Sequence, residues 1–426
     1  MMYQTVQKLI DAGVPVAQLW WFRLDHPLLV EQSLGKLVES VIATSNGSAE
    51  KPAYLFLDEI TYADKWDLWL KTFFDDRWPI RLVGTSSATA AIREQGTESG
   101  VGRWEEHFLS PCLFTEYLDL IHADYQNYEC RDSLDESIQA AINQFNVQDL
   151  SIERRKFLVT GGFPELLINN PGSADETSAL LRSQRTLRSD AIEKAIYKDI
   201  PQSFGISEPT KLERLLYTLA GQITGIVSPK TIAGDVGVSG VTIEKYISYL
   251  ERAFIVFQLS NYSASEESIQ RRGKRLYFID GAVRNAALLR GMRPLDSNEE
   301  MGHLVENMVA SHLFSLAEQS GVRLYHWRHG KQEVDLVYDH PEKPLAFEIT
   351  LSKKHNRKGI QAFTRKFPRF KNRCYLVGPS LVPQLPADNS PGSLPLDDFL
   401  VLVGQQAQSA LEQNVRIDEM QDNVEG

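Results

Sequence analysis

The stretch Tyr54-Leu55-Phe56-Leu57-Asp58-Glu59-Ile60 carries the strongest fold signal in this chain. Its four consecutive apolar or aromatic residues predict a strand buried on both faces, as in the middle of a parallel sheet. Two carboxylates follow at the carboxyl end of that strand, where open α/β sheets bind ligands. Asp58 is predicted to hold Mg²⁺ through water, and Glu59 to orient or deprotonate a water that attacks a phosphoryl group. The alternative is that the pair only caps the next helix.

A second predicted strand ends in small hydroxyl residues. It runs through Ile80-Arg81-Leu82-Val83-Gly84-Thr85-Ser86-Ser87. If the two strands are neighbours in a parallel sheet, Thr85 and Ser86 lie beside the acidic pair, where a hydroxyl can sense a γ-phosphate. This pairing favours a nucleotide site over a helix cap.

Composition predicts a soluble protein of several domains. The 426 residues suggest two to four domains, and the 42% hydrophobic and 24% charged contents are ordinary for a globular protein. The net charge of −11 argues against coating nucleic acid with the whole surface, although a local basic groove remains open. Cys112, Cys130 and Cys374 are too scattered for a disulfide framework or a metal site, so we expect a cytoplasmic protein. No apolar run approaches the roughly 20 residues of a membrane helix.

The expected phosphate-binding loop is absent from the sequence. Gly-Lys occurs at residues 35–36, 273–274 and 330–331, and no Ser or Thr follows any of these pairs. The motif needs that hydroxyl for Mg²⁺ and its glycines for close approach to phosphates. Two explanations compete, truncation of the chain and degeneration of the site, and the intact acidic pair favours truncation. In both cases we expect weak ATP binding and a sheet that lacks a strand beside Thr85.

Arg103 is a further candidate for the nucleotide site. It follows a glycine-rich turn and is predicted to reach a γ-phosphate, in its own subunit or in a neighbouring subunit of an oligomer. The alternative is a solvated surface arginine. Further on, the paired Gly161 and Gly162 predict close backbone packing.

The middle of the chain predicts a winged helix-turn-helix. Residues 229–239 indicate a short helix with a glycine turn, and residues 241–254 indicate a second helix. The exposed face of the second helix offers Glu244, Lys245, Ser248 and Glu251, which are nearly neutral together. This favours a structural or protein-contacting module over a reader of DNA sequence. The cations at residues 271–275 are predicted to form either a basic wing or a solvated turn.

The last domain carries a second chemical candidate. Asp335 and Glu348 lie on successive predicted strands and fit the metal positions of a restriction-nuclease-like fold, and Glu306 on the preceding helix adds a third oxygen. Thr350 stands where that fold needs a lysine. Cleavage would require Lys353 or Lys354 as a substitute, so an inactive scaffold is favoured over a nuclease.

A basic run keeps nucleic acid among the predicted partners. From residue 351 to residue 373 there is no Asp or Glu, and nine residues are Lys or Arg: Lys353, Lys354, Arg357, Lys358, Arg365, Lys366, Arg369, Lys371 and Arg373. Lys353, Lys354, Arg357 and Lys358 are the candidates for phosphate contacts. The interleaved Phe363, Phe367 and Phe370 predict either a groove or a buried helix face with solvated charges outside.

The order of these motifs resembles a known family. LFLDEI and LVGTSS resemble the Walker B and sensor strands of an AAA-type ATPase, and GVGRW, PCLFTEYL, VTGGFPELL, YKDIP and EVDLVYD…AFEIT follow in order. The chain is similar in this respect to prokaryotic AAA-type ATPases that carry a nuclease-like C-terminal domain of unknown function. The resemblance implies an α/β P-loop core that binds ATP and Mg²⁺, a winged-helix middle and a nuclease-like end.

These expectations divide the chain into five segments and leave two functions open. The segments are an ATPase core without its P-loop at 1–120, a helical connector at 121–205, a winged helix at 206–280, a nuclease-like domain at 281–400 and a partly disordered tail at 401–426. The first function is an ATPase coupled to a C-terminal half that binds nucleic acid or a protein partner. The second is a non-catalytic DNA- or protein-binding scaffold that has lost both chemistries. No membrane partner is expected.

Overall fold

The computed structural model describes most of the chain as two compact units. The described residues are 2–86, 102–107, 109–145, 149–164, 176–271, 273–351, 357–387 and 390–422, with side chains left out at 176–177, 270–271 and 414–422. Unit 1 comprises residues 1–107, 195–209 and 252–254, and unit 2 comprises the remainder. The predicted boundary after residue 120 therefore lies 13 residues into unit 2.

Unit 1 is built on a parallel sheet. Its strands are β1 (Leu19–Arg23), β2 (Ala53–Asp58) and β3 (Ile80–Gly84), in the spatial order β1-β2-β3. The helices that precede and connect them are α1 (Met2–Asp11), α2 (Pro27–Val30), α3 (Leu34–Ser45) and α4 (Trp66–Asp75). Helical crossovers of this kind between parallel strands give the α/β arrangement that the sequence predicts.

The predicted central strand is confirmed. Leu55, Phe56 and Leu57 of β2 are at most 2% exposed, so both faces of the strand are covered. Val38 of α3 and Phe73 of α4 belong to the same apolar core, which fixes β2 in the middle of the sheet. Because the strands are parallel, the residues that follow β2 and β3 emerge at one edge.

β3 is the last strand of the described sheet. Its outer side has no strand partner among the residues that the structure describes, and Val83 is 44% exposed. The expectation that the sheet lacks a strand beside Thr85 stays a prediction, because residues 87–101 lie outside the described part of the chain.

Unit 2 begins with a helical layer. Its helices up to residue 288 are α5 (Phe114–Leu120), α6 (Leu134–Ala141), α7 (Ser151–Thr160), α8 (Glu176–Leu187), α10 (Pro209–Gly221), α11 (Pro229–Val236), α12 (Gly240–Arg252), α13 (Glu266–Arg271) and α14 (Gly281–Leu288). Between α8 and α10 the chain forms two π-helical segments, Arg188–Glu193 and Ala195–Asp199, and then α9 (Ile200–Phe204), which lies in unit 1. Where this helical run is described, no helix has the length and apolar character to cross a membrane, and the same holds for the other described helices.

The middle of unit 2 has the element order predicted for a winged helix. Helices α10, α11 and α12 are followed by β4 (Val256–Leu259) and β5 (Arg275–Phe278), which pair antiparallel. Ile243 and Ile247 of α12 are buried as predicted, whereas Glu244 and Lys245 are exposed. The segment directly after β4 does not project as a wing. Its Tyr262 amide donates to the carbonyl of His326 in β6 (Arg323–His329) at 2.7 Å.

A five-stranded mixed sheet forms the C-terminal part of unit 2. The strands are β6 (Arg323–His329), β7 (Gln332–Asp339), β8 (Leu345–Ile349), β9 (Cys374–Gly378) and β10 (Gly392–Pro395), in the order β10-β9-β8-β7-β6. β6, β7 and β8 pair antiparallel, and β8, β9 and β10 pair parallel. The accompanying helices are α15 (Asn298–Ser320), α16 (Lys358–Lys366) and α17 (Leu396–Asp422).

Two expectations for this region have clear outcomes. Phe363, Phe367 and Phe370 are buried in one core with Trp327, which confirms the helix face that the spacing predicts. The predicted start of a tail at residue 401 is wrong, because α17 runs from residue 396 to residue 422 and its Leu402 is fully buried. The apolar first half of α17 was missed in the sequence analysis because the residues after Gln405 are mostly polar. The predicted disorder at the end of the tail stays a prediction, because residues 423–426 lie outside the described residues.

The glycine pair after α7 is confirmed as a packing motif. A Cβ on Gly162 would lie 1.9 Å from the Cys112 carbonyl oxygen. The two backbones are already in contact, because the Cys112 amide donates to the Gly162 carbonyl at 2.7 Å. Gly161 has φ +68°, and the Asp280 carboxylate accepts from the Gly162 amide at 2.8 Å. Neither position has room for a side chain.

We expect Gly162→Ala to lower the free energy of unfolding by at least about 3 kcal/mol, because the new methyl meets backbone that cannot move aside. Gly234→Ala is the matched control, since nothing lies within 4 Å of a Cβ there. Its position inside α11 predicts a gain of about 0.5–1 kcal/mol. Urea denaturation of both variants measures the difference, and equal stabilities would contradict the packing role of Gly162.

Candidate functional site

The acidic pair of β2 lies at the carboxyl edge of the unit 1 sheet, beside the hydroxyl of the neighbouring strand. The register places Leu57 opposite Gly84, so Asp58 and Thr85 follow at the same level. The Thr85 hydroxyl donates to Asp58 Oδ1 at 2.8 Å. The prediction that a hydroxyl-tipped strand adjoins the acidic pair is confirmed in its geometry.

Glu59 adopts a conformation that L-residues rarely use. Its φ is 57° and its ψ is 52°, in the left-handed region. The backbone holds this turn because the Ile60 amide donates to the Thr85 carbonyl at 2.8 Å. Left-handed backbone at a residue other than Gly costs about 1–2 kcal/mol and concentrates at functional sites. Its side chain makes no capping hydrogen bond to the short helix that follows, so a simple cap does not explain Glu59.

Further hydroxyls line the same edge. Thr61 and Ser86 share a hydrogen bond of 2.8 Å, which ties the turn after β2 to the end of β3. Ser87, the last residue of the predicted strand, lies outside the described residues. The edge therefore presents one carboxylate from Asp58 and hydroxyls from Thr61, Thr85 and Ser86. These hard oxygen donors suit Mg²⁺ held through water.

Two cations that the sequence did not single out lie at this edge. Lys198, from the second π-helical segment, sits over the Tyr62 ring with Nζ 5.4 Å from the ring centroid. A hydrogen bond to the Tyr62 hydroxyl raises the pKa of Lys198, and the nearby Asp199 and Glu59 carboxylates add to this effect. Arg23 at the end of β1 pairs with Asp25 at 3.1 Å, and the Asp25 and Asp58 charges raise its pKa. The YKDIP motif was the available signal for Lys198.

Arg103 is held at the opposite edge of the sheet. Its Nε donates to Asp75 Oδ1 at 2.9 Å. Asp75 ends α4, which runs back from the carboxyl end of β2 toward the start of β3. The structure therefore places Arg103 away from Asp58 within the chain, and a contact with a neighbouring subunit's nucleotide stays a prediction.

In unit 2, the predicted metal position is occupied by an arginine. Arg275 Nη1 lies 3.1 Å from Glu306 Oε1 and 3.0 Å from Asp335 Oδ1, and Nη2 lies 3.0 Å from Glu333 Oε2. The guanidinium is buried and takes the place that a divalent cation would need between the carboxylates. Where the chain is described, no group of three or more His, Cys, Asp or Glu residues is arranged to hold a metal ion.

This arrangement corrects two expectations, the open metal position between the carboxylates and the predicted role of Arg275. Glu306 and Asp335 meet as predicted, but they bind a side chain of β5 instead of an open metal position. Glu348 and Thr350 are buried nearby on β8 and just after it, and the Thr350 amide donates to Val377. Arg275 is neither a phosphate-binding wing residue nor a solvated one. Lys353 and Lys354, the proposed substitutes for the missing lysine, lie outside the described residues.

The helix that carries Glu306 also binds the backbone of β5. Asn307 accepts from the Phe278 amide at 2.8 Å and donates to the Phe278 carbonyl at 3.0 Å, as a neighbouring strand would. Tyr277 donates to Glu306 Oε1 at 3.0 Å. Because Tyr277 and Asn307 are buried, these bonds fix the β4–β5 strand pair onto α15.

Burial of this cluster perturbs Glu306. Desolvation and then the Asp335 carboxylate raise the pKa of Glu306 to about 8, while Arg275, Tyr277 and Thr224 act in the opposite direction. This is a structural consequence of placing several carboxylates around one arginine.

Cys112, Asp280 and His312 line a small cavity of about 20 Å³ in unit 2 but have structural roles. His312 Nε2 accepts from the Phe114 amide at 2.9 Å, and Nδ1 contacts the Met308 carbonyl at 2.8 Å. Burial lowers the pKa of His312 to about 4 and raises that of Cys112 to about 12. A neutral imidazole with both nitrogens engaged and a protonated thiol do not form a nucleophile and its base.

The basic run is exposed where it is described, except for Arg373, whose Nη1 pairs with Asp135 Oδ2 at 3.0 Å. Arg357 and Lys358 lie at the start of α16 with exposed side chains. The run itself supplies no counter-charge to these cations, because residues 351–373 contain no Asp or Glu.

Three family models match successive parts of the chain. Residues 1–118 match an AAA domain, residues 152–294 match a domain of unknown function (DUF8612), and residues 301–390 match another domain of unknown function (DUF4143). The first match covers both strands of the acidic edge. The other two place no named activity on the middle and C-terminal parts.

Relatives of the chain are uncharacterized. Two proteins of Methanocaldococcus jannaschii are 25% and 21% identical, each over 74% of this chain and over 65% and 66% of their own lengths. A protein of Haemophilus influenzae is 23% identical over 59% of this chain and 56% of its own length. The chain thus matches less than two thirds of each relative. A solved Walker-type ATPase of Pyrococcus abyssi is 12% identical, with a TM-score of 0.33 over 67% of this chain and 75% of that chain.

We expect Glu306→Gln to change how stability depends on pH. The pKa of Glu306 rises from 4.5 to about 8 on folding, so folding takes up a proton between these values. The stability contributed by this group is complete below about pH 4.5 and is lost as the pH rises to about 8. Gln mimics the protonated acid, so the variant should gain stability relative to the parent across that window.

Urea denaturation at pH 5, 6.5 and 8 measures this difference. Tyr277→Phe is the matched control, because it removes a hydroxyl donor to Glu306 and leaves the carboxylate in place. That variant should keep the pH-dependent loss. A stability difference between Glu306→Gln and the parent that stays constant with pH would contradict the assignment.

Proposed function

We propose that the carboxyl edge of the unit 1 sheet binds and hydrolyses ATP with Mg²⁺. The observation that carries this proposal is the 2.8 Å hydrogen bond from Thr85 to Asp58 at the ends of adjacent parallel strands. The match of residues 1–118 to an AAA domain supports it. ATP and Mg²⁺ are therefore the proposed ligands.

The residues at this edge have distinct proposed roles. Asp58 holds the water shell of Mg²⁺, and Thr85 fixes the carboxylate orientation while its position senses the transferred phosphoryl group. Glu59, whose backbone is in the left-handed region, orients the attacking water. Ser86 and Thr61 support the end of β3. Mg²⁺, when bound, neutralises the charge that develops on the phosphate oxygens.

Lys198 and Arg23 supply positive charge at an edge where the sequence has no Gly-x-x-x-x-Gly-Lys loop. Lys198 is exposed and its ammonium is kept charged by Tyr62 and the nearby carboxylates. A phosphate oxygen can replace the Tyr62 hydroxyl as its partner. With only these two point charges and without a backbone cradle, we expect ATP affinity in the millimolar range.

The same lysine offers a route from nucleotide to the rest of the protein. Helical structure continues from residue 176 to residue 204, and the part from residue 195 onward belongs to unit 1. π-helical turns inside helices are rare and occur frequently at functional sites. We propose that phosphate binding at Lys198 shifts this helix and so couples nucleotide state to partner binding by the C-terminal half.

The second candidate is a non-catalytic DNA- or protein-binding scaffold. Arg275 favours it for the C-terminal sheet, because a guanidinium fills the position that nuclease chemistry would need for metal. For unit 1, the two candidates differ in whether Mg²⁺ and ATP bind at Asp58.

We expect the chain to bind Mg·ATP weakly and Asp58→Asn to remove the Mg²⁺ dependence of that binding. The measurement is titration up to about 10 mM nucleotide by NMR, with and without Mg²⁺. Asp76→Asn is the matched control, because Asp76 is exposed just after α4 and makes the same change of charge. Absence of binding by the parent chain at this concentration, or unchanged Mg²⁺ dependence in Asp58→Asn, would refute the site.

Glu59→Gln should separate binding from hydrolysis. Loss of the carboxylate that orients water predicts at least about a 100-fold fall in phosphate release at saturating Mg·ATP, with nucleotide affinity unchanged. Glu31→Gln is the control, because Glu31 is an exposed carboxylate after α2. Turnover equal to that of the parent would remove Glu59 from its role.

A further inference from the structure

The outer side of α16 and the turn after it form a cationic surface on unit 2. Its members are Arg357, Lys358, Arg365, Lys366, Arg369 and Lys371, all of which are exposed. We call this set the α16 surface. It occurs in a chain whose net charge is −11, so the local sign opposes that of the whole protein. None of the family descriptions assigns it a role.

The fold holds these cations outward. Ile360, Phe363 and Phe367 point from the same helix and its end into the core against Trp327, with the Phe363 and Trp327 ring centroids 5.3 Å apart. A Cβ on Gly359 would lie 2.1 Å from the Glu333 carbonyl, so the helix backbone rests directly on β7. The α16 surface is therefore a fixed face of a packed helix.

Four of the six cations make no ion pair with a residue that the structure describes: Arg357, Arg365, Lys366 and Lys371. Lys366 Nζ lies 5.5 Å from the Phe367 ring centroid. Arg369, by contrast, pairs with Asp339 at 3.2 Å. Several exposed and uncompensated cations on one face raise the local concentration of anionic partners.

The spacing suits a polyanion with regularly spaced charges. Arg357, Gln361 and Arg365 are four residues apart and lie along one stripe of the helix. Eight residues at 1.5 Å each give about 12 Å, the length of three to four steps along one DNA strand at 3.4 Å per step. Gln361 adds a hydrogen-bond donor between the two arginines. Such a row fits phosphates better than a single small anion.

The surface lacks the features that other anionic partners use. Among the described residues from 323 to 373, none is a large exposed apolar side chain. A membrane-surface helix inserts its apolar face, but the apolar face of α16 is in the core. Protein interfaces centre on apolar and aromatic residues, which are missing on this side. Phosphodiester backbone needs only cations and hydrogen-bond donors.

We propose that the α16 surface binds the phosphate backbone of nucleic acid. This names the partner class for the C-terminal half in the function proposed above, and in that respect it rests on that function. Binding itself needs no nucleotide, so it is measured in the absence of ATP. Failure here leaves the Asp58 site standing, and failure of ATP binding leaves the α16 surface standing.

The test uses the full chain and fluorescence anisotropy with labelled nucleic acid of about 30 nucleotides, as duplex DNA, single-stranded DNA and single-stranded RNA, between about 50 and 200 mM salt. The variant carries Arg357→Gln, Arg365→Gln, Lys366→Gln and Lys371→Gln. The control carries Arg214→Gln, Lys230→Gln, Lys245→Gln and Arg293→Gln, four exposed cations of the winged-helix region and α14 flank. Thermal unfolding of both shows that the fold is intact.

The α16 variant should bind at least about tenfold more weakly than the parent, and the slope of log K against log salt should flatten by up to about 3.6 on duplex DNA, 0.9 for each lost contact. The control should stay within about twofold. Comparison of the three probes identifies which nucleic acid supplies the phosphates.

Three results would overturn the proposal. These are an equal loss in the control, which would move binding to the winged helix; no nucleic-acid binding by the parent at about 50 mM salt; and binding to polyglutamate or to phosphatidylserine vesicles in place of nucleic acid.

Discussion

A buried arginine must be paired, and in unit 2 that requirement ties three elements together. Arg275 of β5 meets Glu306 of α15 and Asp335 of β7, and leaving any of these charges alone in the interior would cost several kcal/mol. Asn307 adds the backbone of Phe278 to the same junction. The β4–β5 strand pair, the long helix α15 and the mixed sheet therefore share one polar centre. The acidic residues that the sequence analysis predicted as metal ligands instead hold these elements together.

The two acidic centres of the protein differ in what satisfies them. In unit 2 the carboxylates have a protein cation, which closes the site to an ion from solution. In unit 1, Asp58 accepts a hydrogen bond from the Thr85 hydroxyl, and among the described residues the cations Arg23 and Lys198 lie exposed at the same edge. In the proposed function, the charge that completes this edge comes with the ligand. This contrast is why we assign chemistry to the first centre and architecture to the second.

The central strand and its acidic end were predictable because their signals are local. A run of apolar residues followed by Asp58 and Glu59 predicts a buried strand with an acidic carboxyl end, whatever the rest of the chain does. Arg275 was not predictable, because it stands in a basic run while its acidic partners lie 31, 58 and 60 residues further along the chain. Lys198 was missed for a similar reason, since a distant segment brings it to Tyr62. The predicted start of the tail at residue 401 was wrong because the polar residues in the second half of α17 outweighed the apolar residues in its first half.

Unit 1 is discontinuous in sequence, and this has a consequence for its synthesis. Residues 195–209, which carry Lys198, join a sheet whose last strand ends at residue 84. A nascent chain on the ribosome therefore exposes β1, β2 and β3 long before this segment emerges. Residues 108–194 of unit 2 are translated in between. The acidic edge can be assembled early, but its lysine arrives late. During cotranslational folding the sheet therefore stays unfinished, and β3, which has no outer strand partner among the described residues, can pair with another strand in the meantime.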